Sequence, residues 1–312
     1  MIGFSYFLLI GFSYFLLICA SAIPTSNLLS VSFGPPENPY LISKTQLPPG
    51  ANAANCKTSP TSPPVVLVHS TFSNGNMNWV SLSPLLVNNA RCPFVFNFGG
   101  LSDKVNQELP IHDAMALGDV EKSALELSAF VDQVLQETGA EKVDLVGHSQ
   151  GGMLPHLYIR DLGGKDKVRK FVALSPPNNG TDWSLISKLR AQHPELIVKD
   201  TVDFGPVFKV CTACLQQANN SPFMTTKLHA KELTVPQVEY SVIATKDDLT
   251  VVPYQSQFLP PGPNVKNFLL QKGCDTVMTH FGIAFDQRAL GMVVNLLNDK
   301  QDPVVCIKKT TA

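Results

Sequence analysis

Residues 143–152, with the sequence VDLVGHSQGG, decide the fold of this 312-residue chain. The first five form a mostly apolar run that predicts a buried strand, and a helix is predicted to begin near Gln150. Between them, residues 147–151 fit the pattern G-x-S-x-G, in which a serine occupies a sharp strand-to-helix turn. Glycines on both sides of Ser149 let the strand and the helix approach without a Cβ clash. The stretch therefore predicts a serine exposed at the edge of a sheet.

Strands and helices alternate on both sides of this turn. Apolar patterns predict further strands at 65–69, 94–98, 170–174 and 238–244, and helices at 120–138 and 285–297. Such alternation predicts an α/β fold with a mainly parallel sheet covered by helices on both faces. The segment 182–236 departs from the alternation. It is either a cap or lid over a pocket or a packed surface excursion.

The composition indicates one large globular domain. The chain is 44% hydrophobic and 16% charged, which suits a sizeable core. The formal net charge is -1 and the sequence pI is about 6.6. A basic field for nucleic acid and a polybasic patch for anionic lipid are therefore not expected.

The N-terminus has the pattern of a targeting segment. An uncharged apolar run over 2–20 contains one octad twice and ends in Ala20-Ser21-Ala22, a small-x-small cleavage pattern. We expect a signal peptide at 1–22, a single mature domain at 23–312 and an extracellular protein without a stable membrane anchor. The competing interpretation is an uncleaved anchor, since about 18 apolar residues can span a bilayer.

Six cysteines remain after removal of the predicted signal peptide. An even number in an exported chain favours disulfides, although six cysteines allow about 15 pairings. Sequential order gives the hypothesis Cys56–Cys92, Cys211–Cys214 and Cys274–Cys306. The pair Cys211 and Cys214 could also bind a metal or act in redox chemistry. Because the sequence has no second Cys/His pair at zinc-like spacing, a structural disulfide that closes a short loop is favoured.

A serine in such a turn needs a base and an acid, which follow it along the chain in the order Ser, Asp or Glu, His. Only His280 follows every candidate acid, and it lies in a loop before the last predicted helix. The predicted strand 238–244 leads into Asp247 and Asp248, and spacing alone leaves both open as the acid. Backbone donors for a developing oxyanion are expected at Gln150 and at Thr71, whose hydroxyl could add another donor.

Four segments, 65–74, 143–152, 243–254 and 280–286, resemble the secreted class 2 triacylglycerol lipases of bacteria and nematodes, and more distantly Candida antarctica lipase B. The similarity covers about 64–306, and it supports the sequential cysteine pairs. It implies the α/β-hydrolase fold and, counting back from Pro253, selects Asp248 as the acid. Where this family commonly has glycine after the histidine of its oxyanion strand, this chain has Ser70, and Leu249 replaces a usual glutamate.

The resemblance implies a Ser-His-Asp acyl-enzyme mechanism on triacylglycerols, with no metal and no organic cofactor. The expected partner is a lipid or ester substrate, either in solution or at an oil–water interface, and a monomer is expected. Substrate contacts are predicted for Phe72, His148, Phe208 and Ile283. Two alternatives stay open: an esterase of short soluble esters, and a non-catalytic lipid-binding protein on a hydrolase fold. Residues 179–181 and 219–221 are glycosylation sequons if the host is eukaryotic.

Overall fold

A parallel sheet forms the centre of the molecule. The computed structural model describes residues 28–39, 42–102, 113–182, 184–185, 192 and 210–308. In these ranges six strands lie in the order β2-β1-β3-β4-β5-β6, and every neighbouring pair is parallel. The strands are β1 (Val65–Val68), β2 (Pro93–Val95), β3 (Val143–His148), β4 (Val168–Leu174), β5 (Glu239–Ala244) and β6 (Val265–Leu269). The predicted α/β class with a parallel sheet is confirmed.

Helices connect and cover the strands. The longest begins directly after Asp119, whose side chain accepts a hydrogen bond from the Lys122 N–H, and ends at Gly139 in the left-handed conformation. Shorter 3₁₀ helices span Gly164–Asp166, Tyr254–Gln257 and Gly282–Phe285, and a π-helix spans Met224–Leu228. The α-helices are α1 (Gly75–Trp79), α2 (Leu82–Asn88), α3 (Val120–Thr138), α4 (Gln150–Met153), α5 (Pro155–Asp161), α6 (Thr212–Gln216) and α7 (Gln287–Leu297).

Both faces of the sheet are buried because successive strand side chains point to opposite sides. On one face Val66, Leu145 and Phe171 belong to a core with residues of α3 and α5. On the other face Val65 and Val146 belong to a second core with residues of α2 and α7. The central strands therefore consist almost entirely of apolar residues.

The direction in which the chain adds strands to the sheet reverses between β1 and β3. The chain runs from β1 outward to β2, then returns past β1 to form β3, which continues to β4 on the opposite side. The connections after β1 and β3 thus leave in opposite directions, and ligand sites of open α/β sheets lie at the carboxyl ends of such strands. Residues 69–71 and 148–150 occupy this position.

Most predicted elements are present, with some differences. The helix predicted at 120–138 has these bounds. The strand predicted at 94–98 instead covers Pro93–Val95, because the chain then leaves the sheet and the Phe98 N–H donates to His69 Nε2. The edge strand β6 was not predicted, since its exposed and half-buried residues lack a clear apolar pattern.

The cysteines pair in sequential order in the structure. The bonds are Cys56–Cys92, Cys211–Cys214 and Cys274–Cys306, with Cα–Cα distances of 5.7, 5.3 and 5.7 Å. The second closes the first turn of α6, and the third ties the loop before residue 280 to the C-terminal segment. These distances lie in the normal range for disulfides.

Two predicted regions fall partly or wholly outside the described ranges. The predicted signal peptide at 1–22 lies outside them, and the segment 182–236 is described only at 182, 184–185, 192 and 210–236. Within the described ranges, no helix has both the length and the apolar character needed to cross a bilayer.

Charged side chains cluster at the amino edge of the sheet. Asp144 at the start of β3 is fully buried and forms ion pairs with Arg91, which is also fully buried, and with Arg169 at 2.5 Å. Both arginines also donate to the Leu297 carbonyl at the end of α7. The cluster therefore joins two strands and the last helix.

Replacing Asp144 by asparagine should destabilise the fold. The substitution leaves the buried Arg91 guanidinium without a counter-charge, which typically costs about 3–5 kcal/mol. Urea unfolding with the disulfides intact measures this loss. Asp132→Asn is the matched control, because Asp132 pairs with Lys167 at the surface and should lose no more than about 1 kcal/mol. Equal losses in the two variants would contradict the role assigned to the buried cluster.

Candidate active site

Ser149 lies at the turn between β3 and α4. Its φ is 54° and its ψ is -122°, a strained conformation for a residue with a side chain. A Cβ on Gly147 would overlap the Gly151 carbonyl, and one on Gly151 would overlap the Val68 carbonyl. The turn therefore requires glycine at both positions, as the sequence pattern predicts.

A continuous hydrogen-bond chain links Ser149, His280 and Asp248. The Ser149 Oγ lies 2.8 Å from His280 Nε2, and His280 Nδ1 lies 2.6 Å from Asp248 Oδ2. The Asp248 side chain is fully buried, while the His280 side chain is 13% exposed. In this geometry the imidazole can accept the serine proton at Nε2 while Nδ1–H donates to the carboxylate.

Asp248 is held by three further donors. Its Oδ1 accepts from the backbone N–H groups of Thr250 and Val251 at 2.7 and 2.8 Å. Its Oδ2 also accepts from Gln257 Nε2 at 3.1 Å. The carboxylate is therefore fixed in the orientation that faces His280, and Gln257 is a site residue that sequence reasoning missed.

Asp247 has a different position from its neighbour. Its Oδ2 accepts from the Met278 N–H at 3.1 Å and from Gln271 Nε2 at 3.0 Å. The Thr245 hydroxyl donates to the Met278 carbonyl at 2.7 Å. Of the two candidate acids, Asp248 contacts the imidazole, while Asp247 holds the loop that leads to it.

His148 supports His280 from the protein interior. Its ring nitrogens lie 2.9 Å from the His280 carbonyl oxygen and 3.0 Å from Asn78 Oδ1. Burial, assisted by the charge of His280, lowers the pKa of His148 to about 3, so its ring is neutral near pH 7. His148 is predicted as a substrate contact; in the structure its ring is 1% exposed and both nitrogens face protein oxygens.

Ser70, which directly follows His69 at the end of β1, contacts the Asn78 side chain. Both the Ser70 N–H and its hydroxyl donate to Asn78 Oδ1, at 3.0 and 2.9 Å. Because Asn78 also contacts His148, one side chain joins the end of β1 to the end of β3. Asn78 lies in α1, and its sequence context gave no sign of this role.

The two predicted oxyanion residues lie side by side. The Thr71 hydroxyl donates to Gln150 Oε1 at 2.8 Å and accepts from Gln217 Nε2 at 3.1 Å. Gln150 is the first residue of α4, so its backbone N–H is one of those that a helix leaves without an internal acceptor. The structure thus brings the Thr71 loop against the first residue of α4, which directly follows Ser149.

The other three residues predicted to contact substrate lie in different environments or outside the described residues. Phe72 is half-buried next to Thr71, with a φ of 62°. Ile283, also predicted to contact substrate, has a fully buried side chain that packs in the core with α7 residues such as Leu290. Phe208 lies outside the described residues. In the described ranges no group of three or more His, Cys, Asp or Glu side chains could hold a metal ion.

A family model and several solved structures are similar to this chain. Residues 63–212 match a family model described as the alpha/beta hydrolase fold. The crystal structure of Aspergillus fumigatus lipase B is 18% identical with a TM-score of 0.57, over 81% of this chain and 55% of that one. This chain therefore spans about half the length of that structure.

Two other solved structures are similar at lower scores. The mature form of Bacillus licheniformis lipase BlEst2 is 16% identical with a TM-score of 0.46, covering 77% of this chain and 94% of that one. Naproxen esterase from Bacillus subtilis is 15% identical with a TM-score of 0.39, covering 78% and 86%. The matched model, the parallel sheet and the serine turn at the end of β3 together show that this chain has the α/β-hydrolase fold.

Proposed function

We propose that this protein is a secreted serine hydrolase that cleaves carboxylic esters, with triacylglycerols as its substrates. The observation that carries the proposal is the hydrogen-bond chain from Ser149 Oγ through His280 to Asp248. The similarity of this chain to class 2 lipases and to a structure named as a lipase supports an acylglycerol substrate. Three disulfides support an oxidising, extracellular location.

The reaction proceeds in two steps. Ser149 Oγ attacks the ester carbonyl carbon while His280 Nε2 takes the hydroxyl proton, and the carbonyl oxygen becomes an oxyanion. The tetrahedral intermediate then collapses, the C–O bond to the alcohol breaks, and His280 returns the proton to the leaving alcohol. Water repeats the sequence on the acyl-serine and releases the fatty acid.

The surrounding groups stabilise charges that develop in these steps. Asp248 stabilises the imidazolium that forms when His280 is protonated. The N–H of Gln150 and the Thr71 group are the proposed donors to the oxyanion, and preorganised donors of this kind are often the largest contribution to catalysis. The chemistry uses side chains and backbone groups of this chain alone.

Ser149→Ala should abolish covalent labelling by an organophosphonate. Ester turnover should fall on the order of 10⁶-fold, the loss typical of removing the nucleophile of a Ser-His-Asp unit. Ser241→Ala is the control, since Ser241 is buried within β5, away from the carboxyl edge of the sheet. Labelling of Ser149→Ala at the wild-type rate, with unchanged turnover, would refute the assignment.

Substitution of Asp248 should lower kcat far more than substitution of Asp247. Asp248→Asn should lower kcat by about 10⁴-fold, because an amide stabilises the wrong tautomer of His280. Asp247→Asn preserves an oxygen for the Met278 N–H, so we expect a loss below about 10-fold. Steady-state kinetics on a soluble ester give both values. The assignment fails if Asp247→Asn is the more damaging substitution.

An ester chain-length series distinguishes lipase from esterase. We expect the purified mature protein to hydrolyse dispersed long-chain triacylglycerol faster than soluble short-chain esters, with Ser149→Ala as the blank for each substrate. A rate that falls steadily with acyl length would show the esterase alternative. Absence of turnover on all esters, with the fold intact by circular dichroism, would instead favour the non-catalytic lipid-binding alternative.

A further inference from the structure

The Thr71 hydroxyl lies between two glutamine side chains from different parts of the fold. It donates to Gln150 Oε1 at 2.8 Å and accepts from Gln217 Nε2 at 3.1 Å. Gln150 begins the helix after the nucleophile, and Gln217 directly follows α6 in the segment between β4 and β5. Gln150 is fully buried and Gln217 is 7% exposed. Water therefore has little access to the polar atoms of either glutamine.

Gln217 is anchored on both its backbone and its side chain. Its N–H donates to the Ala213 carbonyl at 3.0 Å, and its own carbonyl accepts from the Thr181 N–H at 2.9 Å. The side-chain Nε2 donates to the Ala213 carbonyl at 3.1 Å as well as to Thr71. One amide hydrogen thus fixes the side chain to α6, and the other points at the Thr71 hydroxyl.

This arrangement decides what the Thr71 hydroxyl can do. A hydroxyl has one hydrogen and two acceptor positions, and Gln217 fills an acceptor position. The single hydrogen is thereby left for an acceptor on the other side, which in the resting site is the neutral Gln150 Oε1. An oxyanion is a stronger acceptor, because hydrogen bonds to charged groups are about twice as strong as neutral ones.

Gln150 can compensate for the loss of that hydrogen bond. Its Nε2 is buried and has no hydrogen-bond partner among the described residues. A half-turn of the amide would bring Nε2–H to Thr71 Oγ1, so that both acceptor positions of the hydroxyl are filled. The hydroxyl hydrogen would then be left for the oxyanion, and no buried donor would lose a partner.

We propose that Gln217 is a positioning residue that orients the Thr71 hydroxyl as an oxyanion donor, with Gln150 as the acceptor that holds its hydrogen between turnovers. The inference rests on the proposed ester hydrolysis and adds a residue from the segment between β4 and β5 to it. Gln217 contacts Thr71 and acts through it. Chains of hydrogen bonds polarise one another, so its donation also strengthens the Thr71 donor.

A double-mutant cycle tests the proposal. Thr71→Val removes the hydroxyl and should lower kcat about 10²-fold, as loss of one oxyanion donor does. Gln217→Ala should lower kcat about 10-fold in the wild-type background, with KM changed less than about 2-fold, because it acts on a transition-state interaction. In the Thr71→Val background, Gln217→Ala should cost less than about 2-fold, since the group through which it acts is gone.

Gln216 provides the matched control. Its side chain ties α6 to the start of α3, accepting from the Val120 N–H and donating to Asp119 at 2.8 Å each, without contact to Thr71. Gln216→Ala should therefore keep kcat within about 2-fold of wild type even if it loosens α6. Should Gln217→Ala fail to fold in thermal unfolding, Gln217→Met fills the same space without an amide and should show the same 10-fold loss.

The outcomes separate this inference from the proposed function. A wild-type protein without ester turnover or organophosphonate labelling would overturn the proposed function itself. If the wild type is active, equal kcat for Gln217→Ala and wild type overturns the positioning role. The positioning role is also overturned if Gln217→Ala lowers kcat equally with and without the Thr71 hydroxyl. It is overturned as well if Gln216→Ala lowers kcat as much as Gln217→Ala does.

Discussion

The site depends on how closely β3, α4 and β1 approach one another at Ser149. Its backbone has a positive φ of 54°, and glycines at 147 and 151 leave room for the neighbouring carbonyl groups. Because Gly151 packs directly on the carbonyl of Val68, the helix that follows the serine lies against the end of β1. Ser149 and the loop at Thr71 are therefore aligned by backbone contact, and a larger residue at either glycine would move them apart.

Buried polar groups extend this alignment to the base. Asn78 joins Ser70 at the end of β1 to His148 at the end of β3, and His148 contacts the His280 carbonyl. Burial keeps His148 neutral, so the ring supports the loop without placing a second positive charge beside the imidazolium that the proposed mechanism forms at His280. Three segments distant in sequence are thus held together by groups that carry no charge at neutral pH.

The sequence alone predicts those parts of the fold and the candidate site that depend on residues close together along the chain. The turn at Ser149 and the helix at 120–138 follow from short-range rules, and His280 was the only histidine after the candidate acids. The pattern could not separate Asp247 from Asp248, because that depends on the path of the loop after β5. The burial of His148 and Ile283 is not apparent from the sequence, since a sequence position near a site does not reveal which way a side chain points. Gln217 was missed because its contact with Thr71 spans 146 residues.

Charge is distributed unequally between the two edges of the sheet. At the amino edge, the buried Asp144 is balanced by two arginines whose role is structural. At the carboxyl edge, the donors that contact Asp248 in the described residues are neutral N–H groups and His280. A permanent cation at this edge would already neutralise the Asp248 carboxylate, and that carboxylate would then stabilise an imidazolium at His280 less. In the proposed mechanism, the neutral donors therefore fix the orientation of Asp248 and leave its charge to act on the proton that moves between Ser149 and His280.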